Sequence, residues 1–152
     1  MRHQFRLNRG FTLIEIMLVL VMIAVMVAIT ATFMSGSLEQ AKIRAVSKNL
    51  ISALRYTRGQ AVIKHEQKTI IFNVKDRTYR APKKKLVQIP EEVEMNLYTI
   101  ESDIVDEDTG KIRFFSDGSS TGGWVKLTYR NKIWKININW LTGEIRLEEG
   151  GA

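Results

Sequence analysis

Between Ile16 and Met34 no position carries a charge: the run IMLVLVMIAVMVAITATFM has Thr30 and Thr32 as its polar groups. At about 1.5 Å rise per residue it predicts roughly 28 Å of helix, close to the thickness of a bilayer's hydrocarbon core. Both threonine hydroxyls can return to carbonyls one turn back, so the run can span a membrane. After Ser35-Gly36-Ser37 the period becomes 3.6, with Leu38, Ala41, Ala45, Val46, Leu50, Ala53, Leu54 and Ala61 set against Glu39, Lys42, Arg44, Lys48 and Arg55. This predicts an amphipathic continuation from Leu38 to about Lys64, with Gly59 weakening or ending its last turns. The stripe is read as packing on the chain's own sheet, in preference to a partner helix.

Beyond His65 the period shortens to two and turn residues multiply. Strands are predicted at Lys68 to Val74 and Thr78 to Arg80, paired through Lys75-Asp76-Arg77. Others follow at Val93 to Thr99, Lys111 to Ser116, Trp124 to Arg130, Ile133 to Asn139 and Glu144 to Leu147. Short strands with turns between them imply a mostly antiparallel sheet or sandwich, and the fold class is α+β: a long N-terminal helix packed on a C-terminal β-domain. The organisation expected is a basic leader at 1–10, a transmembrane helix at 11–35, an amphipathic helix at 36–64 and a β-rich domain at 65–152.

Charge fixes an orientation. Of a formal net charge of +7, Arg2, Arg6 and Arg9 all precede the apolar run, which keeps that end cytoplasmic and sends the β-domain across the membrane. Mean hydropathy is −0.11 despite the apolar run, so the remainder is soluble in character. A cleaved secretory signal is the simpler alternative. Against it stand the length of the run, the absence of a small-x-small site after it, and Glu15 at its start. The 152 residues allow one domain plus an appendage, and the lack of cysteine excludes a disulfide framework, a thiolate zinc site and a cysteine nucleophile.

A carboxylate at the edge of a membrane helix costs about 2.5 kcal/mol or more near the bilayer centre and ordinarily has a partner, yet no Lys, Arg or His lies within the run. Arg9-Gly10-Phe11-Thr12-Leu13-Ile14-Glu15 resembles the processing site of type IV prepilins and pseudopilins. The resemblance implies that the prepilin peptidase cuts after Gly10 and that the new N-terminal Phe11 is methylated. Glu15 would then serve subunit assembly, as counter-ion to the Phe11 amine in a neighbouring helix. Phe114-Phe115-Ser116-Asp117-Gly118-Ser119-Ser120-Thr121-Gly122-Gly123-Trp124, followed by Leu141-Thr142-Gly143-Glu144-Ile145, is similar to the C-terminal part of the H-type pseudopilins and the related FimT minor pilins.

Other constellations are weaker. His65 at a helix end reads as a cap or a solvated residue, not a base. Asp103, Asp106, Glu107 and Asp108 suggest calcium, but the spacing is not that of an EF-hand and a solvated acidic loop is the favoured reading. Lys83-Lys84-Lys85 is the basic concentration of the soluble part and reads as a solvated loop before a phosphate site. No catalytic set can be assembled, and no cofactor or metal is expected. The family resemblance implies a minor pseudopilin of a type II secretion system, held in the inner membrane with its β-domain in the periplasm. Its partners would be other pseudopilins, the prepilin peptidase, membrane lipid and a secreted protein. The alternative is a FimT-like minor pilin serving pilus assembly or DNA uptake; the acidic Glu148-Glu149 end disfavours nucleic acid.

Overall fold

The computed structural model describes residues 11–151, with side chains at 11–29 and 41–150. Helix α1 runs Leu13–Lys64. The chain forms two compact units, Met1–Ala41 and Lys42–Ala152. In the first, the described side chains from Phe11 to Ile29 are exposed on every face of the helix.

The second unit is built on the remainder of α1 and eight strands: β1 Lys68–Asn73, β2 Thr78–Arg80, β3 Val87–Gln88, β4 Glu94–Tyr98, β5 Thr109–Phe114, β6 Gly123–Tyr129, β7 Lys132–Ile138 and β8 Ile145–Gly151. All pairings are antiparallel, in two four-stranded sheets ordered β3-β2-β1-β5 and β4-β6-β7-β8. Alternation along the strands decides which face is inward. In the second sheet Leu97, Val125, Ile136 and Leu147 stand in register on the inner side, while the next row, Tyr98, Trp124, Asn137 and Arg146, faces out. The core joins Ile43, Leu50, Leu54 and Ala61 of α1 to Ile70, Phe72, Ile112 and Phe114 of one sheet and Val125, Leu127 and Ile136 of the other. From Val46 to Ala61 the amphipathic stripe therefore packs on its own domain, whereas Ala41 and Ala45 are exposed and the side chain of Leu38 lies outside those described.

Helix α1 passes through Gly59 without a break. A Cβ there would meet nothing within 4 Å, while Leu54, Thr57 and Ala61 around it are buried, so tertiary packing outweighs the local cost of glycine. The helix ends instead at a Schellman turn: Glu66 N–H donates to Ala61 O (3.2 Å), His65 N–H to Val62 O (3.3 Å), and His65 takes φ 52°. His65 is thus the residue just past the helix end. Two elements lie outside the sequence expectation, the two-residue strand β3 and a 3₁₀ turn at Glu101–Asp103. Strand β8 also runs beyond Leu147 to Gly151, because Glu148 stands opposite Lys135 and Glu149 opposite Trp134.

Candidate functional site

The first turn of α1 positions Glu15. Thr12 precedes the helix and accepts two backbone hydrogen bonds at its carbonyl, from Glu15 N–H at 3.0 Å and Ile16 N–H at 3.3 Å; its Oγ1 lies 3.4 Å from Glu15 N. Thr12-Leu13-Ile14-Glu15 is a capping-box sequence, threonine at the N-cap and glutamate three residues on, a local signal that the sequence reading passed over. A carboxylate is also favoured at this end of a helix by the backbone dipole. Glu15 is exposed and so is Phe11, at 76 %. Gly10 and the arginines before it lie outside the described residues.

Behind this turn, Leu13, Ile14, Met17, Leu18, Leu20 and Val21 are each more than half exposed. A helix apolar on all sides has no aqueous face to offer and requires lipid or other helices around it. Among the described residues no helix is long and apolar enough to cross a membrane. The described side chains stop at Ile29, whereas the apolar run continues to Met34.

The C-terminal stretch singled out by resemblance converges on a residue that the sequence reading missed. Arg58, from α1, donates from Nε to Gly118 O (3.0 Å) and from a terminal guanidinium nitrogen to Thr142 O (2.9 Å). The loop before β6 and the turn between β7 and β8 are thereby tied to the helix. Asp117 Oδ1 accepts from Ser119 N–H at 2.9 Å and from its hydroxyl at 2.6 Å, bonds that hold the carboxyl below its ordinary pKa. Gly118 and Gly143 both take positive φ, and a Cβ on Gly143 would collide with the Gly118 carbonyl and with Arg58. These glycines serve turn geometry and close approach. An arginine spaced four residues from Leu54 on the helix gave no signal by itself.

The remaining candidates are dispersed. Asp103 is buried and turns toward Arg113, whose Nε is 2.7 Å from Oδ1, close enough for an ion pair but without hydrogen-bond alignment. Asp106 instead accepts from Asp108 N–H at 3.0 Å, which together with contacts to Thr109 lowers its pKa, and Asp108 lies 3.7 Å from Lys75. Among the described residues no three acidic or histidine side chains converge as a metal site. Lys83, Lys84 and Lys85 are exposed, with Lys84 Nζ 4.7 Å from the centre of the Tyr56 ring. Glu149 is an edge-strand residue 3.7 Å from Arg44.

Similarities to known proteins bear on this arrangement. Residues 5–31 match the family model of the prokaryotic N-terminal methylation motif. The chain is 31% identical over 138 residues to type II secretion system protein H of Xanthomonas campestris pv. campestris, an alignment covering 91% of this chain and 82% of that protein. In fold it is similar to the minor pseudopilin EpsH from the type 2 secretion system of Vibrio cholerae, with TM-score 0.55 and 10% identity over 69% of this chain and 94% of that one. A more distant likeness, TM-score 0.49 at 15% identity, is to the type IV minor pilin FimU of Pseudomonas aeruginosa, covering 72% and 90% of the two chains. With its methylation motif at the start of an exposed apolar helix and its β-domain in the EpsH fold, the chain belongs to the H-type minor pseudopilins of the type II secretion system.

Proposed function

We propose that this minor pseudopilin acts as a non-catalytic structural subunit, cut after Gly10, methylated on Phe11 and assembled through Glu15. The observation that carries the reading is the helix start. Phe11 and Glu15 are both accessible, and behind them lies an apolar surface exposed on all sides, which makes sense only when lipid and then neighbouring helices cover it. In the membrane, residues 11–35 anchor the chain, with the leader cytoplasmic and residues 65–152 periplasmic. On assembly the free amine left at Phe11 becomes a cation in an apolar setting, and Glu15 of an adjacent helix neutralises it. The β-domain remains outside the helical bundle and meets other pseudopilins or the exported protein. Relatives of this family are structural subunits, and nothing in the chemistry of the described site requires a reaction.

Mass spectrometry of the protein from cells containing the prepilin peptidase tests this directly. The expected mature chain begins at Phe11 and carries one N-terminal methyl group. A chain beginning beyond Met34, as a conventional signal would leave, would refute both the processing and the anchoring.

A further inference from the structure

A groove of about 490 Å³ lies between the C-terminal part of α1 and the β2–β3 hairpin. Its lining is largely apolar and aromatic, with Ala53, Tyr56, Tyr79, Ala81 and Val87 joined by Asn49 and Ser52 of the helix and by Lys84 and Lys85. Lys84 rests on the Tyr56 ring, and among the described residues no ion pair engages either lysine. Two lysines beside a largely apolar surface fit a segment that is both acidic and apolar.

The chain presents such a segment elsewhere. In the loop before β5, Ile104 and Val105 are 55% and 59% exposed, followed by exposed Asp106 and Glu107. Val105 N–H donates to Thr109 O at 2.8 Å and Asp106 Oδ1 accepts from Asp108 N–H, so the loop is held in one shape before any contact forms. Within one molecule the loop and the two lysines lie at opposite ends of β2. Thr109 is in register with Asn73, which is opposite Thr78, so the loop lies at the β1–β2 turn; the lysines follow Arg80, at the other end of β2.

We propose that the groove receives the loop Ile104 to Asp108 of a second copy of the chain, with Ile104 and Val105 on the apolar and aromatic lining and Asp106 and Glu107 against Lys84 and Lys85. The contact is head-to-tail, since groove and loop are different surfaces, and it leaves a free loop at one end and a free groove at the other. Its small area makes it weak, and its charges make it sensitive to salt. It goes beyond the function proposed above and does not depend on whether residues 1–10 are removed.

The absence of native cysteine makes the test clean. Full-length Val87→Cys and Val105→Cys chains are purified in detergent, mixed and oxidised, and disulfide-linked dimers are followed over time. The mixture is expected to form heterodimer about tenfold faster than either variant alone forms homodimer, with the advantage falling as salt rises. Lys84→Glu with Lys85→Glu on the groove chain should abolish the advantage, and Asp106→Lys with Glu107→Lys on the loop chain should restore it. Association through the apolar helices alone would accelerate all three dimers equally. That outcome, or a heterodimer rate unchanged by the lysine substitutions, would overturn the proposal.

Discussion

Arg58→Ala removes two hydrogen bonds that join one helical residue to two loops distant in sequence. A hydrogen bond from a charged donor contributes about 1.5–3 kcal/mol. The two acceptors differ in what replaces them: Gly118 is buried, so its carbonyl loses a partner that water does not readily supply, whereas Thr142 is exposed and its carbonyl can be rehydrated. The full cost applies to the first bond and a fraction to the second, which gives about 2–3 kcal/mol for the variant, a fall in melting temperature on the order of 10 °C for a unit of this size. Arg58→Lys should lose about half as much, since one ammonium cannot span two carbonyls as the guanidinium fork does. Denaturation of the full chain in detergent gives the total. Hydrogen exchange locates it, through the Gly118 amide, bonded to Phe115 O at 3.0 Å, and the Gly143 amide, bonded to Asn139 O at 2.8 Å. Loss of protection at both amides is expected. Stability within about 0.5 kcal/mol of the parent, with both amides still protected, would show that the loops hold themselves and that the clamp is incidental.

Gly59→Ala should stabilise the β-domain by roughly 0.5–1 kcal/mol, because the added Cβ meets open space inside a helix; denaturant titration checks the sign. His65→Gly should do likewise by up to about 1 kcal/mol, through relief of a left-handed residue at the helix end, and an unchanged midpoint would argue that another contact compensates. The folded pKa of Asp117 is depressed by Ser119, so the stability it contributes is present above the ordinary carboxylate range and is lost as pH falls through the depressed value; an NMR titration should place its midpoint below that of an unstructured aspartate. Thr12→Ala should weaken the helix start by about 1 kcal/mol yet leave filament assembly intact, whereas Glu15→Gln, which keeps the side chain's size but removes the charge, should enter the membrane and fail to enter filaments. Normal incorporation of Glu15→Gln would refute the pairing with the Phe11 amine.

The strands were legible because one face of each sheet is buried: the alternation Trp134, Ile136, Ile138 leaves no freedom of register once a core lies on one side. The helix was legible for the corresponding reason at period 3.6. Strand β3 escaped because Val87 and Gln88 are both exposed and pair with Tyr79 and Thr78 only through the backbone, so no apolar pattern announces it. The end of β8 escaped because Glu148-Glu149-Gly150 has the composition of a tail; its place in the sheet follows from cross-strand partners, Lys135 opposite Glu148, that a linear reading does not bring together. Arg58 was silent for the same reason. Its acceptors are carbonyls, which every residue carries, 60 and 84 positions away.

The motif at the helix start was legible for a different reason, and its physics is distinct from that of the β-domain. Within the β-domain each apolar side chain finds its partner inside the chain, so pattern alone predicts burial. From Phe11 to Ile29 the pattern predicts the opposite, since a helix apolar on every face has no arrangement within one copy that removes it from water. What marks Glu15 is therefore an unmatched demand: a carboxylate at the edge of an apolar helix with no cation in the run to answer it. The N-terminal end of the helix dipole favours a carboxylate at Glu15, while Thr12 caps the turn by accepting from the Glu15 N–H. Neither is a partner that neutralises the negative charge itself. On the function proposed above, that partner is the new amine at Phe11 of a neighbouring copy or a related subunit, the cation that cleavage after Gly10 would create.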